Sequence, residues 1–483
     1  MKTTKNIAGK TLLLIITLIT YIKQVDAQNY VLIPDAHFAA YLQTIVPSSM
    51  KGDSLDITSA LVTGSTKSII VPGKIILNIT GIQYFTSLTY LDCSQNSINT
   101  IPSLPNTLIY LNCSNNNIHT LPSLPNTLTY LNCSNNNSLS GLPSLPNTLK
   151  YLNCSYDMAL NNIPALSNTL DTLICTESYL TTLPALPATL ICLICIQNKL
   201  TNLPTLPNAL RYLNCDQNSL KSLPALNPSL RELECKYDSL TSIPILPDSL
   251  LGLYCSNNSL TTIPALPATL TSLDCSNNSL TSLPALPDSM TDFGCAENHL
   301  TNLPTLPKAL LYLYCGYNSL TSLPTLPDRL ITIECFSNNI TCFPTFPASI
   351  YNFHIDPNPY NCLPNYLYVM NSDTAIPLCG LGNSNGCPII TSVRTIIDNR
   401  INFTIYPNPA NNMVNLSYQL QQSENRGVLK LYNTIGQLIK SKEVNSGIGN
   451  IDEDVSALQG GIYYYTLSVN GVIEGTNKLV IIR

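Results

Sequence analysis

Cysteine is the residue here whose spacing first suggests chemistry: 18 of 483 positions. Thirteen of these, Cys93, Cys113, Cys133, Cys154, Cys175, Cys195, Cys215, Cys235, Cys255, Cys275, Cys295, Cys315 and Cys335, recur every 20 residues, with steps of 21 on either side of Cys154. Thiols in such number could form disulfides, bind metal or act as nucleophiles. Their setting speaks against all three. Eleven close a Leu-x-Cys alternation, with Phe293 and Ile333 in the leucine place before Cys295 and Cys335, and this puts each at an inward strand position where a free thiol behaves as a small hydrophobe. Parallel in-register neighbours are close enough to bridge but poorly oriented to do so. The thirteen are therefore read as a reduced, buried ladder. Cys192 and Cys195 make a C-x-x-C string, yet residues three apart on a strand face opposite ways, so it is not read as a redox or zinc pair. Cys342, Cys362, Cys379 and Cys387 lie in irregular sequence and are candidates for disulfides, with three pairings open. The four histidines, His37, His119, His299 and His354, are far apart in sequence. No Ser-His-Asp order, H-E-x-x-H or phosphate loop stands out, so no catalytic residue, metal or cofactor is expected.

Composition narrows the class further. Charged residues are only 11% of the chain and the formal net charge is −5. The pI of about 5.4 argues against nucleic-acid binding. An apolar share of 45% argues against disorder. So few charges in so long a chain suit a repeat built around one stacked core.

That repeat runs from about residue 87 to 349. A clean copy is Leu270-Thr-Ser-Leu273-Asp-Cys275-Ser-Asn-Asn278-Ser-Leu280-Thr-Ser-Leu283-Pro284-Ala-Leu286-Pro287. Leu273 and Cys275 alternate with polar neighbours, which is strand periodicity. Asn278 and its equivalents, from Asn96 to Asn338, stand where the chain leaves the strand and can bond the backbone of adjacent turns. Asp157, Ser178 and Asp238 replace asparagine there and are expected to accept bonds but donate poorly. The Leu-Pro-x-Leu-Pro stretch excludes a helix interior, so the opposite side should be extended or polyproline-II-like. Thirteen copies at a fixed period predict a solenoid. The pattern L-x-x-L-x-C-x-x-N-x-L resembles a leucine-rich repeat, and L-P-x-L-P resembles the short bacterial class found in secreted effectors. Relatives of that class that act as ubiquitin ligases carry a catalytic domain after the repeats, a place taken here by other sequence.

The ends divide as follows. Residues 1–27 read as a signal peptide: Lys2, Lys5 and Lys10, then an apolar run over 11–20, then Val25-Asp26-Ala27 as a cleavage site. Its removal takes away four lysines and one aspartate and brings the charge to −8. No later segment is long and apolar enough to span a membrane. Residues 28–86 read as an N-terminal cap with a short amphipathic helix near Ile33–Leu42, and resemble caps of surface proteins in Bacteroidetes-type bacteria. Residues 350–390 read as a C-terminal cap and 391–402 as a linker. Residues 403–483 read as an Ig-like β-sandwich, with Asn470-Gly471 as a hairpin turn. Its motifs are Tyr406-Pro407-Asn408-Pro409, Leu431-Tyr432-Asn-Thr-Ile-Gly436, Gly460-Gly461-Ile-Tyr463 and Lys478 to Arg483. In that order they resemble the C-terminal sorting domain of type IX (Por) secretion. The resemblance implies export, removal of this domain, and a body released or attached to the outer-membrane surface.

A ligand would meet the outward positions of the concave strands. These give Tyr90, Tyr110, Tyr130 and Tyr151 in one column, with Asn112, Asn132 and Asn153 beside them. Ile174, Cys192 and Ile194 make the middle apolar, and Tyr212, Glu232, Glu234, Tyr254, Asp274, Asp292, Tyr312 and Tyr314 follow. Stacked tyrosines suit protein or glycan interfaces, and they also simply suit strands; both readings stay open. The expectation is a non-enzymatic, adhesin-like surface protein binding protein or glycan. The alternatives are a structural or inhibitory surface protein and an accessory module to a polysaccharide-degrading enzyme.

Overall fold

The computed structural model describes residues 29–367, 376–379, 403–420, 426–434, 436–445, 447–469 and 472–483. The signal-peptide reading, the linker, Cys387 and the Asn470-Gly471 turn lie outside these residues. The chain forms two compact units, Met1–Leu310 and Leu311–Arg483.

In the first unit a short strand, Tyr30–Leu32, is followed by helix Ala36–Ile45. Pro34 and Asp35 precede it. Asp35 is its N-cap, accepting from the Phe38 amide at 2.9 Å, and its second oxygen accepts from the Leu77 amide at 2.7 Å. Phe38, Ala39 and Leu42 are buried beneath it. Twelve short parallel strands follow, from Ser68–Ile70 to Asp292–Gly294, each paired with the next in sequence. Each marker cysteine follows its three-residue strand directly, and all thirteen are buried. The thiols lie against carbonyls, as Cys275 Sγ does 3.3 Å from Gly294 O. Burial, and then Asp92, pushes the Cys93 thiol up to about 12, far from a reactive thiolate.

Two side-chain ladders hold these strands in register. Asn278 Nδ2 donates to the carbonyls of Cys255, Cys275 and Ser276 at 3.1 Å each, while Oδ1 accepts from the Leu260 amide at 2.9 Å. One amide thus satisfies backbone groups of two turns. The second ladder is a hydroxyl six residues before the marker cysteine in most turns; Ala209, Ala309 and Arg329 interrupt it. Thr269 Oγ1 donates to Asp248 O at 2.7 Å and Leu250 O at 2.8 Å. A Pro267–Leu270 turn, closed by Leu270 N to Pro267 O at 3.1 Å, sets that hydroxyl in place. Leu283-Pro284-Ala-Leu286-Pro287 carries neither helix nor strand, in keeping with its prolines.

The substituted ladder positions differ from the expectation in one case. Ser178 donates, to Cys154 O at 2.9 Å and Thr176 O at 3.2 Å, and the acceptor is what its turn lacks. Asp157 accepts from the Asn136 amide at 2.6 Å and Asp238 from the Leu220 amide at 2.9 Å, but Oδ2 of each is buried without a hydrogen-bond partner.

In the second unit, Tyr312–Tyr314, Thr332–Glu334 and Asn352–His354 pair in parallel in the same repeat. Here Ile355 stands in the cysteine position, and Asn358 continues the ladder, donating to Cys335 O at 2.9 Å and accepting from the Ile340 amide at 3.0 Å. Cys362 and Cys379 form a disulfide, and Cys342 is also disulfide-bonded. The tail folds as two antiparallel sheets, one of strands Phe403–Tyr406, Met413–Leu420 and Gly447–Asp454, the other of Leu438–Asn445, Arg426–Asn433, Gly461–Val469 and Val472–Ile481. Val414, Leu416, Leu429, Leu431, Leu467 and Leu479 share the core between them.

Burial raises the Asp157 carboxyl to about 8 and the Asp238 carboxyl to about 7. Because the folded values exceed the unfolded value near 3.9, this contribution to stability is complete below that value. It declines as pH rises toward 7–8 and is lost above. Asp157→Asn and Asp238→Asn are each expected to stabilise the protein at pH 8 by about 1–3 kcal/mol and to flatten this pH dependence, measured by urea unfolding at pH 5 and pH 8. Thiol titration of the denatured, unreduced protein is expected to count 14 free thiols, the thirteen marker cysteines and Cys192.

Candidate functional site

On the sheet's outer face, Tyr90, Tyr110, Tyr130 and Tyr151 form one continuous stack. Successive ring centroids are 4.1, 4.2 and 4.4 Å apart and the interplanar angles are 4°, 10° and 4°. The spacing is slightly tighter than the strand separation of about 4.8 Å, so the rings lean together as they pack. Burial, then the phenols of Tyr90 and Tyr130, raises the Tyr110 hydroxyl; burial, then Tyr130, raises that of Tyr151 to about 12. Tyr110 and Tyr151 are therefore uncharged at neutral pH. Within the stack each ring face is covered by the next ring. What the column offers outward is ring edges and hydroxyls; only the outer faces of Tyr90 and Tyr151 are not covered by another ring of the stack.

Asn112 and Asn132 run beside it. Their Oδ1 atoms accept from the Ser114 and Ser134 hydroxyls at 2.8 Å each, which turns the amides into fixed donors aimed away from the serines. Asn153 Oδ1 accepts from the Ser155 amide at 3.1 Å. Half-buried Ile174, Cys192 and Ile194 separate this zone from a charged one.

The charged zone centres on Lys236, whose position the sequence reading passed over although it directly follows marker Cys235 in an outward column. Its Nζ lies 2.9 Å from Glu234 Oε2, 3.4 Å from Asp216 Oδ2 and 5.5 Å from the centre of the Tyr254 ring. Tyr212 donates its hydroxyl to Glu234 Oε1 at 2.5 Å. Burial pushes the Glu234 carboxyl up, but the bonds from Tyr212 and Lys236 outweigh it and the net shift is downward. Burial raises the Asp216 carboxyl. Gly252 lets the Tyr254 ring lie flat, since a Cβ there would meet it at 3.0 Å. Gly294 likewise leaves room for the Asp274 carboxylate. A groove of about 540 Å³ opens beyond, between Lys236 and Glu297, over Ser256, Ser276 and Asp274. Tyr212 and Tyr254 thus join one network, apart from the tyrosine stack. Tyr312, half-buried, and Tyr314, exposed, belong to the other unit.

The edge beside these columns escaped the sequence reading altogether. Two residues after each marker cysteine the backbone turns left-handed, at Asn115, Asn135, Asn257 and Asn277 but also at Tyr156, Glu177, Tyr237 and Glu297. Asparagine tolerates that conformation, and its recurrence two places after cysteine was the available signal.

In the tail, the Tyr406-Pro407-Asn408-Pro409 segment is exposed, and Asn408 ties it to the last strand through Lys478 O at 2.6 Å and Val480 N at 2.8 Å. Gly436 takes a φ of +78° in the turn after Asn433, and Gly461 opens its strand. Arg483 fastens the end by donating to the carbonyls of Asn411, Val455, Ser456 and Leu458 at 2.6–2.9 Å.

The family model described as secretion system C-terminal sorting domain matches residues 404–482, and the model described as leucine rich repeat matches 269–290. Among solved structures, YopM from Yersinia pestis, described as a leucine-rich effector protein, is similar at 31% identity over 61% of this chain and 85% of that one, with a TM-score of 0.54. The chain belongs to the leucine-rich-repeat proteins. YopM from Yersinia enterocolitica WA-314 is similar at 33% identity over 59% of this chain, with a TM-score of 0.57. This chain spans 63% of that protein's length. No curated protein matches in sequence. The tail directs secretion through type IX machinery and surface attachment after cleavage. No described helix is long and apolar enough to cross a membrane.

Lys236→Met is expected to raise the Glu234 titration midpoint toward the ordinary glutamate range of about 4.3, followed by carboxyl NMR. An unchanged midpoint would mean that Lys236 is not what holds Glu234 low.

Proposed function

We propose that this secreted leucine-rich-repeat protein is an adhesin-like recognition protein without catalytic activity, binding a protein or glycan ligand through the concave sheet. The observation that carries this reading is the four-tyrosine stack beside the aligned Asn112 and Asn132 amides. Groups already packed into place lose little freedom on binding, which is the main cost a recognition surface must meet. Aromatic side chains with polar tips are the kind that dominate interfaces.

The stack also limits how a ligand engages. Its ring faces are largely covered, so flat stacking of sugar rings is confined to the two ends. Contacts along its length run through hydroxyls, ring edges and amides. A neighbouring apolar stripe and a zone of carboxylates extend the surface in a way that suits a protein partner. Support for the non-catalytic reading comes from the leucine-rich-repeat family itself and from the YopM likeness.

Binding to glycan arrays and to candidate surface proteins is expected to fall about tenfold or more for Tyr110→Ala combined with Tyr130→Ala, equivalent to about 1.4 kcal/mol. The fold is expected to persist, because both side chains lie on the outer face. Unchanged binding of every ligand found with the wild-type protein would rule out the tyrosine column as the contact surface.

A further inference from the structure

Among the described residues, the tail sandwich is open along one side. Leu438–Asn445 is an edge strand of one sheet, and Gly447–Asp454, next in the chain, is an edge strand of the other. Across this side, Lys440 Nζ meets Glu453 Oε1 at 2.7 Å, and Lys442 Nζ stands 3.8 Å from Glu453 Oε2. Behind that bridge is a slot of about 330 Å³ floored by Leu416 and Leu429. Tyr465 lines it too, only 3% exposed, and its hydroxyl is buried with no hydrogen-bond partner. A buried phenol without a partner is costly, and phenylalanine would fill the same space without that cost. The hydroxyl gains a partner once something enters the slot.

The chemistry of the walls specifies the occupant. Leu416 and Leu429 call for an aliphatic stem. Tyr465 offers a donor at its base. At the mouth two ammonium groups share one carboxylate, Lys440 on Oε1 and Lys442 more distantly on Oε2, so the cluster keeps one net positive charge that a second anion balances. A glutamate or aspartate side chain meets all three demands. The two unpaired strand edges beside the slot call for an extended backbone to carry it. The domain is matched as a secretion sorting domain, so another protein must read it.

We propose that an extended, acidic segment of the secretion machinery docks on this side, pairing with the Leu438–Asn445 edge and placing a carboxylate in the slot between Tyr465 and Lys442. This site is independent of the concave-face reading. The test uses the full chain expressed in a type IX-competent host, comparing Tyr465→Phe, Lys442→Glu and Lys442→Arg. Tyr465→Phe and Lys442→Glu are each expected to lower surface export at least tenfold, with the protein retained in the periplasm and the thermal midpoint of the purified chain unchanged or higher. Lys442→Arg is expected to export normally. Wild-type export by either Tyr465→Phe or Lys442→Glu would overturn the proposal, as would an export loss that only tracks a lowered thermal midpoint.

Discussion

A parallel strand of three residues has too few backbone hydrogen bonds to fix its own register. In this chain an asparagine side chain makes up the difference. Its amide nitrogen donates to carbonyls of two successive turns and its oxygen accepts an amide from the earlier one, as at Asn116, Asn198, Asn278 and Asn338. A buried backbone group left unmet costs about 1–3 kcal/mol, so one residue per turn settles several such costs. Leucine and cysteine then need only supply volume. The small thiol leaves room for the amide to reach the carbonyl of its own cysteine.

Register, once fixed, is what creates the outer face. In the first four marked turns the tyrosine three residues before the cysteine stacks on the next only because each turn repeats the last. The 21-residue step from Cys133 to Cys154 does not disturb this: Tyr130 and Tyr151 stack at 4.4 Å, nearly as closely as Tyr90 and Tyr110 at 4.1 Å. The zones of that face follow from local departures in the repeat. Lys236 replaces a serine and gathers Asp216, Glu234 and Tyr254 around it. Glycine at 252 and 294 makes the space these side chains occupy.

Much of this was legible in the sequence. The period, the inward Leu-x-Cys pattern, the turn asparagines and the tyrosine column are all local and repeated, and the fold expresses them directly. The tail could be read from its motifs, but strands Leu438–Asn445 and Gly447–Asp454 could not. Both are edge strands with lysines or acidic residues where alternation would call for apolar ones. The left-handed residue after each strand and the Thr269-type hydroxyl were missed because they serve backbone geometry rather than the core. Asn358 was hidden because its turn has Ile355 in place of cysteine. The Asp157 and Asp238 orphans needed coordinates, since a carboxylate and an amide have the same shape and differ in what they can donate.

The dependence of the solenoid on its asparagine amides is tested most directly by hydrogen exchange on Asn278→Ala. Loss of this side chain is expected to speed exchange at the Leu260 amide and in the turns marked by Cys255 and Cys275 at least tenfold, while amides near Cys113 keep their protection. Unchanged exchange at Leu260, or an equal acceleration along the whole repeat, would contradict the account.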